Sequence, residues 1–85
     1  MLQIPGLDAK FACRVTALPK PEVQWLFNDQ PLKSSKKHKI RRDEDACTLS
    51  VRECAEEDAG TYSCRATNSE GTVTSSASLR VVDKL

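Results

Sequence analysis

One histidine, one tryptophan, one tyrosine and three glycines are all that this 85-residue chain offers of the residues most used in catalysis, stacking and flexible loops. The histidine, His38, sits among lysines. No carboxylate or nucleophile stands at a spacing that suggests a partner for it, and nucleophilic catalysis needs an adjacent base and a group that orients the base. Enzymatic chemistry is therefore not expected of this chain, although a longer parent protein can carry a kinase domain elsewhere. The four cysteines, Cys13, Cys47, Cys54 and Cys64, contain no Cys-x-x-Cys pair, so a structural zinc site is not expected and no cofactor is implied.

Long apolar runs are missing too. No stretch approaches the roughly 18 apolar residues of a membrane span, and Met1 to Leu7 has neither a basic start nor an apolar core of signal-peptide length. Membrane insertion and a signal peptide are thus not expected within the chain. A module of a longer protein would carry its signal elsewhere, which leaves the compartment open. Neither sign of charge dominates: 13 Lys+Arg stand against 12 Asp+Glu for a net +1, so the whole-molecule field gives no reason to expect nucleic acid or an acidic membrane as partner.

What is present is period-two alternation, the signal of half-buried strands. Ala9, Phe11, Cys13 and Val15 alternate with polar or small residues. Leu18-Pro19-Lys20-Pro21 follows as a loop, because each proline removes an amide donor and restricts the residue before it. Val23, Trp25 and Phe27 then point one way and Gln24, Leu26 and Asn28 the other, before Asn28-Asp29-Gln30-Pro31 turns the chain. Cys47, Leu49 and Val51 form a further inward set, as do Tyr62, Cys64 and Ala66, and Val73, Ser75, Ala77, Leu79 and Val81. Asn68 to Gly71 reads as a turn in which Gly71 takes a positive φ. No helix is expected beyond the corner from Glu53 to Asp58. The reading is all-β, with two antiparallel sheets packed face to face, and residues 1–85 make one domain with no room for a second core.

Cys13, Trp25 twelve residues later, and the run Asp58-Ala59-Gly60-Thr61-Tyr62-Ser63-Cys64 together carry the sequence signature of an immunoglobulin sandwich. With Pro19 to Trp25, Leu49-Ser50-Val51 and Ala66 to Gly71, the chain over nearly its whole length resembles the I-set immunoglobulin domains of titin, twitchin, obscurin, palladin and myosin light chain kinase. The resemblance implies a Greek-key sandwich with a structural core of Cys13, Trp25, Leu49, Tyr62 and Cys64, in which Cys13 and Cys64 can be bridged. It implies a module excised from a larger protein and short at its first strand, with Leu2 to Ile4 as its remnant. One departure stands at Leu26-Phe27-Asn28-Asp29, where the family often has a glycine after the Asn or Asp.

The resemblance also frames function. It implies a non-catalytic interaction and mechanical spacer module of a larger intracellular muscle or cytoskeletal protein, with neighbouring immunoglobulin or fibronectin-like domains and its two ends held apart. The alternative is an extracellular adhesion or receptor domain that recognises a protein ligand. Two cysteines beyond the core pair and the lack of any Asn-x-Ser/Thr acceptor favour the cytosol. Cys54 reads as a small hydrophobe and Cys47 as an inward residue near a strand end, with a Cys47 to Cys54 bridge as the competing possibility. The remaining feature is a run of cations, Lys33 to Arg42. Some palladin-type modules bind actin through lysine clusters, which makes Lys36, Lys37, Lys39, Arg41 and Arg42 the candidate contacts for an actin-like filament. The competing reading is a solvated edge strand protected from aggregation by its lysines. No aromatic residues interleave these cations to stack bases, so nucleic acid is not expected.

Overall fold

Alternating side chains resolve into eight strands in the computed structural model, which describes residues 1–82. They are β1 (Leu2–Gln3), β2 (Ala9–Arg14), β3 (Glu22–Phe27), β4 (Gln30–Pro31), β5 (His38–Asp43), β6 (Ala46–Val51), β7 (Gly60–Asn68) and β8 (Gly71–Val81). A single 3-10 turn, Glu56–Asp58, occupies the expected corner. One sheet runs β1-β8-β7-β3-β4 and the other β2-β6-β5. Every pairing is antiparallel except β1 with β8, which is parallel, Leu2 opposite Arg80 and Gln3 opposite Val81.

The inward faces meet in one apolar core. Leu49 and Val51 are fully buried, and Phe11, Trp25, Cys47, Tyr62, Cys64 and Leu79 close around them. Tyr62 stacks on Phe11 at 4.7 Å between ring centroids and tilts against Phe27 at 4.8 Å. The Trp25 ring is buried, and its indole N–H has no acceptor among the described residues; it serves as packing volume between the sheets.

One detail departs from the sequence-based picture. Val73, Ser75 and Ala77 of β8 have the expected inward parity, pairing with Ala66, Cys64 and Tyr62, yet all three are exposed, Val73 to 70%. The facing sheet has three strands against five and ends at β2, so this half of β8 is left uncovered; further along the strand Leu79 is buried and Val81 packs against the core. The Met1 amino group donates to the Ser78 carbonyl at 2.7 Å, which sets the start of the chain beside the last strand.

The missing glycine after Asn28 is compensated locally. Asn28 and Asp29 both take left-handed φ, 48° and 67°, as a two-residue hairpin turn requires, and these two residue types tolerate that region best after glycine. Gly60 does need to be glycine. Its φ is 155°, and a Cβ there would lie 2.7 Å from Asn28 Oδ1 and 2.8 Å from Phe27 Cε1.

Candidate interaction surface

The corner that ends in Tyr62 fixes one end of the sandwich. The buried Tyr62 hydroxyl donates to the Asp58 carbonyl at 2.7 Å. The Asp58 carboxylate accepts the Ala55 amide at 2.8 Å and pairs with Lys37 Nζ at 2.7 Å. Asp58 thus both caps the turn and holds a cation, and that cation is Lys37. The hydrogen bond to Asp58 raises the Lys37 pKa above the ordinary lysine value, and Lys37 Nζ also donates to the Glu53 carbonyl at 2.8 Å.

The cysteines pack in and against the core. Cys13 and Cys64 face each other across the core with Sγ atoms 2.6 Å apart. Burial pushes the Cys64 thiol up to about 12, helped by the neighbouring Cys13. Burial also raises Cys47 and Cys54, each 1% exposed. A bridge between these two is excluded by the strand itself. Cys47 lies opposite Cys13, β6 then carries the chain about 13 Å further to Val51, and the Cys54 thiol lies 3.7 Å from the Val51 carbonyl. Bridged Cα atoms lie within about 7 Å.

The candidate cations divide into two groups. Lys37 is held by Asp58 and Glu53. Arg42 points Nη1 at the Pro21 carbonyl, 2.7 Å away, and Nε at the Glu44 carbonyl, 3.4 Å away, so it ties two loops together. Lys36, in the loop before β5, and Lys39 and Arg41, on the outward parity of β5, are exposed, and none of the three is in an ion pair among the described residues. His38 and Ile40 alternate with them and are half-buried. The fold therefore offers three of the five candidates to a partner and spends two on its own loops. Sequence spacing does not reveal this division, because the carbonyls and the carboxylate that capture Lys37 and Arg42 lie between 2 and 21 residues away.

The immunoglobulin I-set domain family model matches residues 3–81. This chain belongs to the immunoglobulin I-set family. Among similar proteins, smooth-muscle myosin light chain kinase of Gallus gallus is 39% identical over 79 residues, 92% of this chain and 4% of that protein. Myopalladin of Mus musculus is 38% identical over 85 residues, 99% of this chain and 6% of its own length. The titin M4 structure superposes with a TM-score of 0.93 at 29% identity, covering 96% of this chain and 85% of that one. The I-set domain thus spans only a small fraction of these long relatives, which are muscle proteins by name. Its fold is one that generally carries no catalysis. Among the described residues no helix is long and apolar enough to cross a membrane.

Proposed function

We propose that this I-set domain is a non-catalytic protein-binding and spacer module of a larger intracellular muscle protein, and that it contacts an acidic filament such as actin through Lys36, Lys39 and Arg41. The observation that carries this reading is the set of three exposed cations that are in no ion pair among the described residues, beside two neighbours that the fold has already engaged. Buried Cys47 and Cys54, which cannot reach each other, suit a reducing compartment, and the named relatives are muscle proteins.

The spacer role rests on the parallel β1–β8 pair. Because both strands run the same way, tension on Met1 and on Val82 loads them in shear. The Arg80 amide on the Met1 carbonyl (2.8 Å) and the Val82 amide on the Gln3 carbonyl (2.9 Å) must then fail together.

Co-sedimentation with actin filaments across a salt series tests the contact. The pelleted fraction is expected to fall steeply with salt and to vanish in Lys36→Glu/Lys39→Glu/Arg41→Glu, while Lys37→Met leaves the pelleted fraction unchanged. Failure to pellet at low salt, or pelleting indifferent to the triple charge reversal, overturns the filament reading.

A further inference from the structure

The outward face of the three-stranded sheet gathers cations that are far apart in the sequence. Register sets the rows: Lys39 of β5 lies beside Ser50 of β6, which lies beside Lys10 of β2; Arg41 lies beside Thr48, then Ala12; Asp43 lies beside Ala46, then Arg14. Arg52, one residue past β6, continues the outward parity of Ser50. Lys10, Arg14, Lys39, Arg41 and Arg52 are all exposed. Five cations from three strands therefore share one face of a chain whose net charge is only +1.

The carboxylates that border this face lie at its ends: Asp43, across Ala46 from Arg14, with Glu44 and Asp45 in the turn beside it, and at the other end Glu53, next to Arg52, and Asp8, whose Oδ1 is occupied by the Glu53 amide at 2.9 Å. The opposite face of the sandwich differs in character. There Thr61, Ser63 and Thr67 of β7 lie against Ser78, Ser76 and Thr72 of β8, with Arg65 beside Thr74 and Arg80 two residues past Ser78 as the cations of these two strands on that side.

The shape of the cationic face is as informative as its charge. Its middle strand presents only Ala46, Thr48 and Ser50, while Lys10 and Arg14 form one flank and Lys39 and Arg41 the other. The flanking strands lie two strand spacings apart, about 10 Å, which matches the roughly 10–12 Å diameter of an α-helix with its side chains. Lys39 and Arg41 are two residues apart along β5, about 7 Å, close to the roughly 6 Å rise between helix positions four apart. A membrane fits this face poorly, because Ala12 and Ala46 are its only apolar side chains.

We propose that this face docks an acidic α-helix of a partner protein, lying along β6 with carboxylates directed to both cationic flanks and towards Arg52. The surface shares Lys39 and Arg41 with the filament contact but not Lys36, and it adds Lys10, Arg14 and Arg52. It requires no filament and stands or falls separately.

The probe is a fluorescein-labelled, alanine-rich 22-residue peptide carrying Glu at positions four and seven apart, with a same-charge control broken by two prolines. Fluorescence anisotropy at low and moderate salt reads binding, and circular dichroism confirms that each variant is folded. Lys10→Glu/Arg14→Glu and Lys39→Glu/Arg41→Glu are each expected to weaken helix binding at least tenfold, Lys36→Glu to leave it unchanged, and the broken peptide to bind at least tenfold more weakly. Equal binding of the two peptides, or indifference to Lys10→Glu/Arg14→Glu, overturns the proposal. So does tighter binding of phosphatidylserine vesicles or duplex DNA through the same residues. Lost actin pelleting with helix binding intact removes only the filament reading; intact pelleting with no helix binding removes only this one.

Discussion

Replacing Tyr62 with Phe deletes one oxygen and little else, which makes it a clean measure of the corner. The ring keeps its contacts with Phe11 and Phe27, and its surroundings are closed, Tyr62 being 1% exposed. What is lost is the 2.7 Å hydrogen bond to the Asp58 carbonyl. A net hydrogen bond contributes about 1 kcal/mol, and stranding a buried acceptor costs about 1–3 kcal/mol. Because Asp58 is itself only 7% exposed, water cannot readily replace the donor, and a loss of about 2 kcal/mol is expected. Urea unfolding followed by Trp25 fluorescence measures it. With a slope of about 1 kcal/mol/M, at the low end for small domains, the midpoint should fall by about 2 M with the slope unchanged. Lys37→Met releases the same residue from its other side, so the two substitutions should be non-additive by about 0.5 kcal/mol or more. A Tyr62→Phe loss below about 0.5 kcal/mol, or strict additivity with Lys37→Met, would refute the claim that Asp58 is gripped from both sides.

Gly60→Ala should destabilise by about 1–3 kcal/mol in the same assay, since it adds a Cβ at φ 155° against Asn28 and Phe27; relief by Asn28→Gly in the double variant would trace the clash to that side chain. Leu49→Ala, at a fully buried site, should cost about 2–5 kcal/mol through lost transfer energy and a residual cavity, and an unchanged melting temperature would contradict the central position of that side chain. On the alkaline side stability should decline in reducing buffer. The folded Cys64 thiol keeps its proton up to about 12 whereas the unfolded one releases it near 9, so the unfolded chain binds fewer protons in that window and stability falls by about 1.4 kcal/mol per pH unit. Raised Cys47, Cys54 and Lys37 act in the same direction. Cys64→Ala should flatten the decline between pH 9 and 12, and denaturant midpoints across that range would detect it.

Much of the fold was legible from local pattern, for a physical reason. Strand alternation is a property of neighbours two residues apart, and the Asp58 to Cys64 run specifies its own corner, because the Tyr62 hydroxyl reaches back only four residues to its acceptor. The inward sets around Phe11, Trp25, Leu49 and Tyr62 are therefore readable before any tertiary contact is known. The hairpin at Asn28-Asp29 is a milder case: the residue types permit left-handed backbone, and the pairing of β3 with β4 demands it.

Other features depend on which strands become neighbours, and local pattern carries no information about that. Val73 has the parity of a core residue but no opposing strand. Lys37 and Arg42 look like surface cations, yet each finds an acceptor supplied by another part of the chain, Asp58 for one and the Pro21 carbonyl for the other. Lys10, Arg14 and Arg52 look unrelated to the Lys33 to Arg42 run, and register alone lays them beside Lys39 and Arg41. The sequence by itself determined the sandwich, its core and its corner, because short-range alternation and spacing encode them. The tertiary structure alone decided which charges face solvent together, because a charged surface is assembled across strands whose partners are chosen only when the core closes.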